Sequence, residues 1–300
     1  MRTQKYRNAF LIGNGGLGDM VSCSGIANYL ATIYENVLIA CMNNNYEQAC
    51  RMYYKKNIII YPINREDTNM GMYKFSHMMI TYGVYDVYAI GNYGAEIVDP
   101  TKYIKYFTDG TERRVISNYP ASYYFDAGLP FEYASKYFHV EYPENIEKYY
   151  TELFALNTPY IILHTDGSNS IINPHKYDVI DVENNIIIDV NFNFYKKGHK
   201  YYNIAQKFIN LQSILYYVKL LENANEFYLI DSCIHAMCLV IDISKVKKKV
   251  CYQRESRFNY YFKNITYYKL IFPNGYDKQT SNPDDIVAID LDKVALQCEK

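Results

Sequence analysis

Three hundred residues exceed one ordinary domain and suggest two of about 150 each. Lys and Arg number 31 against 32 Asp and Glu, a net charge of −1 that gives no reason to expect a nucleic-acid partner. The opening MRTQKYRNAF lacks the apolar core of a signal peptide, and no apolar run approaches the ~20 residues of a membrane helix. A soluble cytoplasmic protein without a membrane span is expected.

The seven cysteines are scattered, odd in number and never spaced C-x-x-C, so zinc-finger and dithiol redox chemistry are excluded. Most are expected as small, reduced, buried hydrophobes. Tyrosine supplies 36 residues and tryptophan none. A stacking surface for sugars or bases is one reading. Their spread along the whole chain favours the plainer one, AT-rich codon usage.

In chain order, Ala9–Ile12 reads as a first buried strand and Met20–Tyr34 as a helix by its apolar spacing. Asn36–Cys41 and Asn57–Tyr61 read as further strands, with a helix over Tyr46–Lys55 between them. Met78–Tyr82 and Asp86–Ile90 are additional strand candidates, and Thr101–Phe107 a helix candidate. The aromatic stretch Val115–Phe138, punctuated by Pro120 and Pro130, reads as packed loops and short helices. Glu144–Phe154 reads as a helix leaving the domain, and Asn157-Thr158-Pro159 breaks it. Short apolar strands alternating with helices imply a parallel sheet covered on both faces.

The stretch AFLIGNGGLGD organises this half. The first strand runs straight into Gly13, Asn14, Gly15, Gly16, Leu17, Gly18 and Asp19, and then into the helix. Strand, glycine turn and helix N-terminus together point backbone N–H groups at one spot above the sheet. Glycine lets a ligand approach the backbone there. Gly13-x-Gly15-x-x-Gly18 matches the dinucleotide fingerprint. That fingerprint also wants an acid after the second strand, and here the strand ends Ala40-Cys41-Met42-Asn43 without one. Asn43 stands as the alternative ribose contact. Asp19 reads either as an N-cap or as a general base that takes a proton from an attacking hydroxyl.

The second half restarts the pattern, and the boundary is placed at 156/157, giving domains of 1–156 and 157–300. Tyr160–His164 is a strand ending in Thr165-Asp166-Gly167-Ser168. Ile186–Val190 is another strand. Tyr201–Asn210 and Leu211–Asn223 read as helices, the latter with Ile214, Leu215, Val218 and Leu221 on one face. Glu226–Ile230 is a strand that runs into Asp231-Ser232-Cys233-Ile234-His235, the start of a short helix, and Lys249–Tyr252 follows as the next strand. A serine hydroxyl with free N–H groups suits a phosphate, and an unliganded Asp/Ser cap is the alternative. His235, one turn in, reads more readily as a packed residue than as a catalyst. Arg254, beyond the next strand, is placed to neutralise phosphate charge. Asp290-x-Asp292, in the apolar segment Ile286–Leu296, reads as a solvated helix or loop rather than a metal site.

Two passages carry a family resemblance. Gly16-Leu17-Gly18-Asp19-Met20-Val21 resembles the glycine–aspartate turn of heptosyltransferase-like glycosyltransferases. Phe227-Tyr228-Leu229-Ile230-Asp231-Ser232-x-x-His235 resembles their D-[TS]-G-x-x-H donor site. Cys233 stands where that pattern has glycine, and His235 falls one position early. The run Ala205–Arg254 is also similar to uncharacterised glycosyltransferase-like proteins of large DNA viruses. The resemblance implies a GT-B-like α/β fold, two Rossmann-like domains facing a central cleft, with the acceptor side in the first. It implies transfer of a sugar from a nucleotide-diphosphate sugar to a glycan or other hydroxyl acceptor, without metal or other cofactor and with inversion. Asp19 would be the base, with Asn14, Gly15, Gly16, Leu17 and Gly18 forming the acceptor-side turn. Asp231, Ser232, Cys233, His235 and Arg254 would hold the donor, with Thr165, Asp166, Gly167 and Ser168 in support. Two other classes stay open: an NAD(P)-dependent oxidoreductase using the glycine turn, and a non-catalytic nucleotide- or sugar-binding protein.

Overall fold

The computed structural model describes residues 7–13, 16–64, 86–90, 123–124, 126–167, 170–172, 174, 179–253, 265–271 and 285–288. The chain divides into two compact units, the first reaching Val140 and the second beginning at Glu141.

In the first unit the strands are β1 (Asn8–Ile12), β2 (Asn36–Met42), β3 (Ile58–Ile63) and β4 (Asp86–Ala89). They form a parallel sheet in the order β3-β2-β1-β4. Ala9 to Ile12 and Val37 to Cys41 are buried without alternation, as strands covered on both faces must be. Phe10, Ile12, Leu38, Ala40 and Ile63 form the core of one face. Among the described residues β3 is an edge strand, where Pro62 is tolerated because its missing N–H costs the ladder little.

The helix after the glycine turn is α1 (Leu17–Leu30), and α2 (Tyr46–Met52) follows β2. Ten of the fourteen α1 residues are buried, small polar ones included. Gly25 shows why: a Cβ there would lie 2.2 Å from the Tyr133 carbonyl oxygen, at the start of the short helix α3 (Tyr133–Lys136). Asn28 Nδ2 donates to the Tyr137 carbonyl at 2.9 Å, and the Tyr124 hydroxyl to the Ser22 carbonyl at 2.9 Å. The short helices expected in the aromatic stretch therefore close over α1.

In the second unit α4 (Glu144–Ala155) precedes β5 (Tyr160–His164), the two-residue ribbon β6 (Asp166–Gly167) and β7 (Ser170–Ile171), and β8 (Ile186–Asp189). Then come α5 (Tyr202–Gln206), α6 (Val218–Asn223), β9 (Glu226–Ile230), α7 (Cys233–Met237), β10 (Lys248–Gln253), β11 (Thr266–Ile271) and β12 (Asp285–Ala288). The main sheet runs β12-β11-β10-β9-β5-β8 and is parallel except for β12 at its edge. Its core includes Ile161, Leu163, Ile187, Tyr228, Ile230, Val250 and Tyr252.

The α/β reading with parallel sheets holds for both units. The helix expected to end the first domain is α4, and it lies in the second unit. Lys219 Nζ reaches Glu147 Oε2 at 2.6 Å, and the Tyr150 hydroxyl donates to the Tyr216 carbonyl. The helix expected over Tyr201–Asn210 is shorter: it ends at Gln206, and turns carry the chain on to Asn210, which takes a left-handed φ of 48°. The helix expected over Leu211–Asn223 starts later, where Ser213 Oγ caps a 3₁₀ turn, Ile214–Tyr217, that leads into α6. Met78–Tyr82, Thr101–Phe107, Asp290 and Asp292 lie outside the described residues. Among the described residues no helix is long and apolar enough to cross a membrane.

Several of the described tyrosines are core material. Tyr123, Tyr124, Tyr150, Tyr228, Tyr252 and Tyr267 head the largest fully buried side chains. Buried hydroxyls such as Tyr160 (to Leu220, 3.0 Å) and Tyr217 (to Phe208, 2.9 Å) find backbone carbonyls. Of the described cysteines, Cys23, Cys41, Cys238 and Cys251 are buried and outside any disulfide, as expected, while Cys50 is exposed and Cys233 half-buried.

Candidate functional site

Strand order locates the two crevices. In the first unit the chain moves from β1 to β2 and β3 on one side and places β4 on the other, so the order reverses between β1 and β4. In the second it moves from β5 to β8, then crosses back to β9 and β10, so the reversal lies between β5 and β9. Open parallel sheets bind ligands at such points, above the C-terminal strand ends. Each of the two turns singled out in the sequence stands at one.

In the first unit β1 ends at Ile12, whose carbonyl accepts from Ile90 N–H at 2.9 Å just past β4. A Cβ on Gly13 would lie 3.2 Å from the Ile90 side chain, so glycine keeps this edge closed. Asn14 and Gly15 lie outside the described residues. Gly16 is the N-cap of α1 and has no side chain to bond it. Leu17, Gly18 and Asp19 form the first helical turn. Asp19 is therefore three residues past the cap, and the N-cap alternative for it falls. Its Oδ1 accepts a 2.6 Å hydrogen bond from the hydroxyl of Tyr123, which is fully buried. Its Oδ2 lies 2.8 Å from where a Gly16 Cβ would stand. The carboxylate is thus held between a phenol and a bare backbone. One turn on, burial, and then the charges of Asp19 and Asp126, push the Cys23 thiol well above its usual range, so it stays protonated.

In the second unit the strand ends bring together residues far apart in the chain. Ser232, extended at φ −159°, caps α7, its Oγ accepting from Ile234 N–H at 3.2 Å. The same Oγ lies 2.9 Å from Nδ1 of His164, the last residue of β5. This contact spans the reversal point. Asp231 N–H donates to the Tyr252 carbonyl at 3.0 Å, and Asp231, Ser232 and Cys233 are all half-buried. His235 is turned away from them. It is 0% exposed, Nε2 lies 3.0 Å from the Tyr267 hydroxyl, and burial lowers its pKa to about 3. It is a neutral core histidine.

Thr165 and Asp189 form the β8 side of this edge. Thr165 Oγ1 donates to Asp189 Oδ2 at 3.0 Å, and Asp189 Oδ1 accepts from Asn191 N–H at 2.8 Å. Both side chains are buried. Burial raises the Asp189 carboxyl to about 6, against the pull of these hydrogen bonds. Asp166 is exposed, and its N–H donates to Asn191 Oδ1 at 3.3 Å. Asp166 and Gly167 pair back on Ser170–Ile171 as a ribbon instead of opening a helix. Ser168 and Arg254 lie outside the described residues.

Sequence reasoning missed three of these residues: Tyr123, His164 and Asp189. His164 and Asp189 each end an apolar strand with a polar side chain, which was the available signal. Tyr123 carried none. For the dinucleotide reading, β2 ends at Met42 and enters a 3₁₀ turn of three asparagines without a carboxylate. Asn43, the alternative ribose contact, is exposed and donates to Asn64 Oδ1.

No protein-family model matches the chain, and no curated protein matches it. Among solved structures it is similar to a glycosyl transferase family 9 protein from Veillonella parvula, with 12% identity over 88% of this chain and 86% of that one and a TM-score of 0.49. It is similar to ADP-heptose LPS heptosyltransferase II of E. coli, with 14% identity over 87% and 89% of the two chains and a TM-score of 0.44. It is also similar to the E. coli heptosyltransferase WaaC with ADP, with 8% identity over 91% and 94% and a TM-score of 0.42.

Proposed function

We propose that this chain is a glycosyltransferase that moves a sugar from a nucleotide-diphosphate sugar to an acceptor hydroxyl, metal-independently and with inversion. One observation carries the reading. The two turns that resemble the glycosyltransferase motifs each stand at the strand-order reversal of their own sheet, where such sheets bind ligands.

In this reaction the acceptor oxygen attacks the anomeric carbon, the bond from that carbon to the diphosphate breaks, and the diphosphate leaves. Asp19 accepts the hydroxyl proton. The Tyr123 hydrogen bond to Oδ1 fixes the carboxylate, which is the alignment a general base needs. The Asp231–Ser232 turn and Arg254 offset the charge that grows on the leaving diphosphate. The donor sugar is the co-substrate, and no other cofactor takes part.

A thermal-shift screen tests this. ADP, GDP, UDP, CDP, their common sugar conjugates, NAD and NADP are each tried with and without EDTA. A ligand at 100 times its dissociation constant stabilises by about 2.7 kcal/mol, well within detection. A shift with one diphosphate or its sugar, unchanged by EDTA, is expected. A shift confined to NAD or NADP overturns the reading in favour of the oxidoreductase. Silence across the panel also overturns it.

A further inference from the structure

The half-buried hydroxyl of Ser232 has more hydrogen-bonding work than a cap requires. A hydroxyl offers two acceptor lone pairs and one proton. One lone pair of Ser232 Oγ takes the Ile234 N–H, and His164 Nδ1 stands at 2.9 Å from the same oxygen. If Nδ1 carries a proton, both lone pairs are filled and the hydroxyl must donate. If Nδ1 is bare, the hydroxyl proton points into the strand edge and the turn offers a ligand no donor from this group. The tautomer of His164 therefore decides whether Ser232 is a donor or an acceptor toward a ligand.

We propose that His164 is a positioning residue of this turn: its Nδ1–H donates to Ser232 Oγ and aims the Ser232 hydroxyl proton at a phosphate oxygen of a nucleoside diphosphate. The inference rests on the transferase reading and deepens it by assigning the β-phosphate contact. Geometry favours His164 for this over His235, whose ring is sealed in the core against Tyr267. His164 ends β5 on one side of the reversal point and Ser232 follows β9 on the other, so the pair ties together the two strands that flank the crevice. At 6% exposure His164 is suited to act through the serine rather than to touch the ligand itself. The hydroxyl is the donor, and nothing is asked of the five-residue helix behind it. An outward O–H aimed at an anion forms a charge-assisted bond, among the stronger kinds.

The test compares each nucleoside diphosphate of the screen with its monophosphate, by calorimetry on the full chain. The wild type is expected to hold the diphosphate at least tenfold tighter. His164→Phe, which fills the space without a donor, and Ser232→Ala are each expected to bring that ratio near one and leave monophosphate affinity within twofold. His164→Asn, whose amide keeps an N–H in reach of Oγ, is expected to retain most of it. An unchanged ratio in both His164→Phe and Ser232→Ala overturns the proposal and leaves the transferase reading standing. A wild type that binds no nucleotide overturns that reading, and the proposal with it. Nitrogen-15 NMR of the wild-type complex gives an independent check that needs no variant. An unprotonated His164 Nδ1 sinks the proposal, and a protonated one supports it.

Discussion

At the turn after β1, a fourteen-residue helix is capped by a glycine with no side-chain bond. At the turn after β9, a five-residue helix is capped by the Ser232 hydroxyl. The first turn is shaped by absent atoms: Gly13 makes room for Ile90, and Gly16 for the Asp19 carboxylate. The second is shaped by a side chain that is present and bonded on two sides. The polar group they hold also differs. Asp19 is an acceptor clamped by a phenol, suited to take a proton. Ser232 carries a proton, suited to meet an anion. On the proposed reading, these two turns of one strand–turn–helix pattern would serve opposite halves of a transfer reaction.

Substitutions can break this comparison, starting with the largest expected effect. Asp19→Asn leaves the size and the Tyr123 contact but removes the proposed base. Transfer to the acceptor is expected to fall about 10²–10⁴-fold, while diphosphate affinity measured by calorimetry stays put. Equal losses in both would mean that the first turn serves the donor instead. Tyr123→Phe should cost transfer less, about tenfold, since it frees the carboxylate without deleting it.

Gly25→Ala tests whether the helix behind the first turn tolerates any side chain. A methyl group 2.2 Å from the Tyr133 carbonyl and 2.7 Å from the Tyr124 hydroxyl forces α1 off its neighbours. Overpacking of this kind costs about 3 kcal/mol, read as a lower urea midpoint. A variant that melts like the wild type would show that α1 and α3 separate easily.

Asp189 sharpens the second half of the comparison through pH. Its carboxyl titrates at about 6 in the folded chain against 3.8 in the open chain, so the folded form binds the proton more tightly. The stability it contributes is greatest below 3.8 and falls as pH rises through about 6, by about 3 kcal/mol at most. Asp189→Asn should remove that fall, so the variant gains on the wild type between pH 4 and pH 7.5 in urea titrations. A constant difference would mean that Thr165 and Asn191 offset the burial fully.

The smallest expected effect is Ser232→Ala, about 1 kcal/mol of stability through the lost cap. Its loss of diphosphate preference should far exceed what so mild a destabilisation explains.

Much of the fold was legible because parallel strands buried on both faces read as unbroken apolar runs. NAFLI, NVLIACM, YIILH and EFYLI each became strands within a residue or so of where the runs lie. β11, TYYKLI, went unread, its apolar run broken by a lysine. The long helix read over Leu211–Asn223 failed at its start, where Ser213 competes locally for Leu215 N–H. In the candidate site, the turns were legible because glycine and Asp-Ser are demanded locally. Their partners were not: Tyr123 meets Asp19 across 104 residues, and His164 meets Ser232 across 68.

The sequence by itself determined most of the buried strands and where the glycine and Asp-Ser turns fall, because apolar patterning and backbone freedom are local properties of the chain. Only the tertiary structure decided which histidine reaches Ser232. Strand order set β5 beside β9 and turned His235 into the core against Tyr267, and hydrogen bonds form between neighbours in space.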